Sequence, residues 1–191
     1  MPGLFDLRHQ LSFYGAYHSN TINVIIHTIF VPTLLFTALV MVSAIPGGIY
    51  MDVGIQKLYH TTISFNWAFV YVCLTGIYYI ILEPMAGFTF FCLMLTMWLA
   101  AHEWILISGV TKVLIMAFGI HVFSWIIQFV GHGVFEGRKP ALLDSLVQSV
   151  VLAPLFVWLH VLFFVGYRPQ LQHEIDEIIS KKIKEWHSKT A

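Results

Sequence analysis

Apolar residues along this chain fall in long, nearly uninterrupted runs, separated by short segments rich in proline, glycine or charge. A bilayer core about 30 Å thick takes roughly 20 apolar residues per helix. By that measure the runs at about Ile22 to Ser43, Ile63 to Leu82, Ala86 to Ile107 and Val113 to Val130 are four membrane-helix candidates. Ile45-Pro46-Gly47-Gly48 stops the first, and a connector through Asp52 and Lys57 leads to the second. Glu83-Pro84 stops the second, because proline disfavours helix in the residue before it. Ser108-Gly109 is a tight joint between the third and fourth, and Gly131-His132-Gly133 breaks the fourth ahead of the polar connector Val134 to Ala141. A last run, Leu142 to Gly166, carries Pro154 at its middle and reads as a kinked span or a re-entrant pair of half-helices.

The remaining segments are of other kinds. From Leu171, apolar positions recur at Ile175, Ile178, Ile179, Ile183 and Trp186, with acids and lysines largely between them. That spacing predicts an amphipathic helix lying on the membrane surface or docking on a partner. Residues 1–166 therefore read as one transmembrane helical domain and 167–191 as a cytosolic amphipathic helix. The fold class expected is all-α, a polytopic bundle of four to six membrane helices. The first twenty residues have no apolar stretch followed by a small-residue cleavage site, so the first apolar helix is expected to act as the membrane address. The positive-inside rule sets Arg8, Arg138, Lys139, Arg168 and the late lysines on the cytosolic side. Both termini lie there if the last run dips in and returns.

Composition strengthens the membrane reading and adds one anomaly. Of 191 residues 58% are hydrophobic and only 10% charged, too few charges for the polar shell of a soluble domain. The formal net charge is zero, which offers nothing to a nucleic acid. Cys73 and Cys92 sit inside apolar runs and read as small buried hydrophobes. The anomaly is ten histidines, as many as Lys and Arg together.

Ionisable groups inside a membrane are costly and point to function. His121, Trp125, Gln128 and His132 fall at i, i+4, i+7 and i+11, one stripe of one helix face. In a straight helix those two histidines are about 16 Å apart along the axis, so a shared metal site requires the chain to bend at Gly131-His132-Gly133. His18, just before the N-cap cluster Ser19-Asn20-Thr21, and His27, about two turns into the first helix, form a second pair at the same membrane face. Neutral imidazoles favour iron, zinc or copper. Glu136 and Gln128 are placed to complete the sphere or to orient its ligands. Arg138 and Lys139 serve as a cytosolic anchor or hold a substrate carboxylate. The plainer alternative is that histidines in membrane helices hydrogen-bond between helices; it applies best to His60, His102, next to Glu103, and His160.

The two histidine blocks, YHSNTINVIIHTIFVPTL (Tyr17 to Leu34) and WIIQFVGHGVFEGRKPAL (Trp125 to Leu142), resemble the signature blocks of the Mpo1-like family of small membrane proteins. The resemblance extends over about residues 4–166. It implies an Fe(II)-dependent dioxygenase of the endoplasmic reticulum membrane that shortens a 2-hydroxy fatty acid by one carbon with release of CO₂, in phytosphingosine breakdown. It further implies catalytic and metal-binding roles for His18, His27, His121 and His132, with Glu136 as the following acidic position. Gln128, Arg138 and Lys139 are the substrate-side candidates. The acyl tail would run among the helices beneath the site, O₂ is the co-substrate, and a homo-oligomer is left open. Two other classes compete with this reading. A histidine-lined transporter predicts a polar path through His102 and His160, and a non-catalytic scaffold predicts histidines that only pack helices.

Overall fold

A computed structural model of the chain describes residues 4–47, 49–52, 62–140 and 147–190. His60, Lys57, Asp144 and the start of the last apolar run at Leu142 lie outside the described residues. Helix α1 (Leu7–Gly15) precedes the long α2 (Thr21–Ser43), whose N-cap Asn20 accepts from the backbone N–H groups of Ile22 and Asn23. A two-stranded antiparallel ribbon follows, β1 (Ile49–Asp52) on β2 (Thr62–Phe65), with Ile49 opposite Phe65. Helices α3 (Trp67–Leu82), α4 (Pro84–Ser108) and α5 (Val110–Val130) come next. A π-helical turn, Gly131–Glu136, extends α5, and Gly137 closes it in the left-handed conformation at φ 64°. A second π-helical segment, Val147–Leu152, leads into α6 (Ala153–Phe164), and α7 (Pro169–Thr190) ends the chain.

Two helical pairs organise the bundle. Helices α3 and α4 form a hairpin about Glu83, which caps α4 by accepting from the Ala86 N–H and is itself buried. Its other contacts are an ion pair with Arg168 at 2.8 Å and the hydroxyl of Tyr167 at 2.9 Å, which tie the α6–α7 joint to this hairpin. Gly87 lets the helices close up, since a Cβ there would meet the Tyr79 backbone at 2.3 Å. Helices α2 and α5 run antiparallel, with Thr37 beside His121 at one depth and Asn23 beside Gly131 at another. Tyr79, Phe90, Met94, Leu155, Phe156 and Leu159 fill the core between α3, α4 and α6.

Outside that core the helices remain apolar. Three of them, Thr21–Ser43, Pro84–Ser108 and α5 with its extension to Glu136, are long and apolar enough to cross a bilayer. Only 33%, 22% and 22% of their most apolar windows are buried within the chain. Ile29, Phe88, Ile107, Ile115 and Phe118 point outward, a surface that water would not tolerate and lipid does. This is a multi-pass membrane protein with a helical-bundle fold. Helix α3, at 16 residues, is about 24 Å long and shorter than a full crossing.

Three of the four expected spans appear with close boundaries, the second forms only the shorter α3, and several other elements differ from the sequence reading. α1 forms within a segment whose polar and aromatic mixture hid it. The second apolar run begins as strand β2, and its helix starts only at Trp67, where the Asn66 side chain caps the Phe69 N–H. Pro154 starts α6 at its first turn instead of kinking a longer helix, because a first-turn N–H needs no intrahelical partner. At 12 residues α6 is too short to span, and α6 with its π-helical lead-in meets α7 at a bend of 119°. The amphipathic α7 docks on α1 of the same chain. Ile179 approaches Gly15, Arg8 pairs with Glu174 at 2.8 Å, and Lys182 donates to the Ser12 hydroxyl at 2.8 Å. Both terminal helices therefore sit together, at the end of the bundle where α2 begins.

Alanine at Gly87 offers a test of the α3–α4 hairpin. Helix propensity alone would stabilise by about 1 kcal/mol, yet the added Cβ must displace backbone. The expected outcome of Gly87→Ala is a lower melting temperature in detergent; an unchanged or higher one would exclude this close approach.

Candidate metal centre

Three histidines meet at the bundle end where α2 begins and α5 ends. His18 lies in the α1–α2 joint, His27 two turns into α2 and His132 in the π-helical turn. One ring nitrogen from each lies within 4.8 Å of the other two, and the ring centroids are 4.3 to 4.8 Å apart. His27 and His132 are buried, and His18 is partly so.

Local structure fixes how each ring presents itself. The Nδ1–H of His18 donates to the Tyr14 carbonyl at 2.8 Å, and the Tyr14 ring stacks on it at 3.9 Å. The Nδ1–H of His27 donates to the Asn23 carbonyl at 2.9 Å. A carbonyl only accepts, so both rings carry their proton on Nδ1 and keep the Nε2 lone pair free. His18 Nε2 and His132 Nδ1 are buried without a hydrogen-bond partner. Burial, and the neighbouring His27 after it, hold the His18 imidazole well below its ordinary value of 6.5, so it is neutral. Orphaned lone pairs of neutral imidazoles converging on one point cost free energy unless something binds them. A divalent transition metal fits this donor set, and iron, zinc and copper all accept imidazole.

Glu136 is bound through both carboxylate oxygens to the start of α2. One carboxylate oxygen accepts from the Ser19 N–H at 2.8 Å and the Ser19 hydroxyl at 2.5 Å; the other accepts from the Asn20 N–H and the Asn23 amide, each at 3.0 Å. Both oxygens are thus committed to the start of α2, where the helix dipole also favours a negative charge. This clamp fastens the π-helical turn, and His132 with it, beside His18 and His27. Gly131 belongs to the same joint, since a Cβ there would sit 2.5 Å from the Asn23 side-chain oxygen.

The other expected site residues are placed as follows. His121 lies apart from the triad, because the chain does not fold back at Gly131–Gly133. Its helix continues through the wider π-turn and keeps the two histidines at separate depths. Both its nitrogens are engaged: Trp125 Nε1 donates to Nε2 at 3.1 Å, and Nδ1 faces the Thr37 hydroxyl at 2.8 Å. Gln128 is buried with its amide nitrogen unpartnered, and lines the triad cavity with Trp125. Arg138 donates to the Ala16 carbonyl at 2.8 Å and lies 3.8 Å over the Tyr17 ring, so it anchors the connector to the α1–α2 joint. Lys139 is exposed. His160 is exposed on α6 and His102 is partly buried on α4, neither within the triad. Sequence reasoning passed over Tyr14, Asn23 and Ser149. Of these, only Asn23, an amide one turn from His27 in an apolar helix, carried a readable signal.

Comparison with known proteins bears on this geometry. The family model described as 2-hydroxy-palmitic acid dioxygenase Mpo1-like matches residues 4–165. The chain is 39% identical over 180 residues to the 2-hydroxy-palmitic acid dioxygenase MPO1 of Saccharomyces cerevisiae, covering 94% of this chain and 93% of the relative. No solved structure matches it.

The clamp makes a specific prediction. Charge-assisted hydrogen bonds contribute about 1.5–3 kcal/mol each and do not add fully, so Glu136→Ala is expected to destabilise by about 3 kcal/mol and to lower metal occupancy. Glu136→Gln, which keeps one acceptor oxygen for either the Ser19 or the Asn20 N–H and sets its NH₂ against the other, should restore only part of both. Thermal unfolding and element analysis would check this; full metal loss at unchanged stability would indicate direct ligation instead.

Proposed function

The chain belongs to the Mpo1-like family, and from that membership and the histidine cluster we propose that it is a membrane-bound, Fe(II)-dependent dioxygenase of 2-hydroxy fatty acids. In this reading it shortens the acid by one carbon, releases CO₂ and serves α-oxidation of hydroxy acids from phytosphingosine breakdown. It works in the endoplasmic reticulum membrane with both termini cytosolic. The observation that carries the proposal is the triad of His18, His27 and His132 at the end of an apolar bundle, one ring nitrogen of each within 4.8 Å of the others, with His18 Nε2 and His132 Nδ1 buried and unpartnered.

Those three residues would hold the metal. Bound there, Fe(II) would supply the redox chemistry for reaction of the 2-hydroxy acid with O₂. The rest of the work falls to the chain. Tyr14 and Asn23 fix the tautomers through their carbonyls. Glu136 holds His132 in place from the start of α2. Gln128 and Ser149, both with buried unpartnered polar atoms in the triad cavity, are donors for the acid's hydroxyl or carboxylate. Val31, Phe129 and Ala153 give that cavity apolar walls, which strengthen such polar contacts and keep bulk water away. Arg138, which donates to the Ala16 carbonyl, acts as an anchor rather than as the carboxylate site, and Lys139 lies outside the triad cavity. A three-histidine set without a carboxylate differs from the usual two-His-one-carboxylate arrangement of non-haem iron.

Element analysis of anaerobically purified protein should find iron, and mass spectrometry should find the acid one carbon shorter after incubation with 2-hydroxyhexadecanoic acid. His18→Ala, His27→Ala and His132→Ala are each expected to lose metal and at least 100-fold in turnover. His121→Ala should keep its metal. Wild-type metal content in the triad variants, or no product from wild-type protein, would sink the proposal.

A further inference from the structure

Two cavities adjoin the triad, and their chemistry differs. One, of about 380 Å³, lies under α7 and shares Tyr14 and His18 with the triad cavity; its walls combine apolar side chains, Phe156 and Ile179 among them, with Ser19, His160, Asp176 and Ser180. The other, of about 210 Å³, lies between α2, α5 and α6 and shares Val31, Trp125, Gln128, Ser149 and Ala153 with it. Beyond that shared rim its walls are Leu34, Leu35, Ala38, Tyr71, Val150 and Pro154, with His121. His121 offers this space no free donor or acceptor, since Trp125 and Thr37 engage both its nitrogens. The unpartnered Gln128 amide and Ser149 hydroxyl sit at the shared rim.

We propose that the cavity between α2, α5 and α6 is the acyl-chain site of the substrate, with Ala38 at its deep end limiting the chain length accepted. Three observations carry this. The cavity adjoins the triad cavity and shares five lining residues with it. Its polar orphans are confined to the rim, where a hydroxy-carboxylate head would lie. Its depth follows two antiparallel spans, with Ala38 eleven residues beyond His27 on α2 and His121 eleven residues before His132 on α5. Eleven residues are about 16 Å of helix, so the tail runs toward the middle of the bilayer, where an apolar chain belongs. The hydrogen bond from Trp125 to His121 holds the indole as a wall common to both cavities. His121 is thereby a positioning residue of the tail site and stands outside the metal sphere.

This inference rests on the reading that a 2-hydroxy acid places its head at the triad. Its test uses the full-length protein in nanodiscs and a 2-hydroxyhexadecanoic acid bearing a terminal diazirine. Photolabelling is expected within residues 31–38 or 118–125, and to be competed by unlabelled acid. Labelling within residues 175–183 of α7, or labelling that the unlabelled acid does not compete, overturns the proposal. Ala38→Phe is expected to lower the ratio of kcat/KM for 2-hydroxyhexadecanoic over 2-hydroxydecanoic acid by at least about tenfold, at unchanged metal content. Ser180→Phe, in the cavity under α7, should leave that ratio unchanged. A ratio shifted by Ser180→Phe and not by Ala38→Phe overturns the assignment. Turnover with labelling on α7 removes this inference alone, whereas competed labelling of the deep cavity without turnover removes the proposed activity and leaves the tail site standing.

Discussion

The Glu136 carboxylate on the start of α2 is the contact from which the geometry of the site follows. Its oxygens collect two backbone N–H groups, a hydroxyl and an amide from Ser19, Asn20 and Asn23. These groups flank His18 on one side and lead to His27 on the other, while Glu136 lies one turn from His132. Two segments more than a hundred residues apart are joined by one ionised side chain at a helix end, where both the free N–H groups and the dipole favour it. Without the clamp, the buried unpartnered nitrogens of His18 and His132 would favour separation of the cluster.

The bilayer imposes the second constraint. Helices α2, α4 and α5 leave most of their apolar surface facing outward, so little of their packing is driven by exclusion of water. Close approach takes its place. Gly87 admits the Tyr79 backbone and Gly131 admits the Asn23 side chain. Polar groups are concentrated at the ends and joints: Glu83 with Arg168 and Tyr167, Asn66 with Trp98, Glu136 with α2. The histidine cluster is thereby held at one end of a bundle whose spans are mainly apolar.

The π-helical turn after α5 links these two constraints. It continues the span past the glycines and widens its last turn, so that His132 faces α2 while Glu136 reaches the α2 cap from the same short segment. A second π-helical segment brings Ser149 to the opposite wall of the cavity. Such turns are rare and concentrate at functional sites, and both here border the triad.

Much of this was legible in the sequence, and the physical reason is the same throughout. Runs of about 20 apolar residues broken by Pro, Gly and charge determine spans through local composition, so α2, α4 and α5 could be read directly. The amphipathic period of α7 could be read likewise, although not the surface it covers, since that depends on Gly15 and Arg8 of α1. The two histidine blocks marked the candidate site. Which histidines meet was decided by tertiary structure alone. Spacing along α5 ranks His121 and His132 equally, and only the antiparallel pairing with α2 sets one beside Thr37 and the other beside His27. The partners of Glu136 were hidden for the same reason: the sequence left it to complete the sphere or to orient its ligands, and its hydrogen-bond donors, from Ser19 to Asn23, appear only in the fold. Composition and period act within a turn or a span, whereas a site built from both ends of the chain depends on contacts that no local pattern encodes.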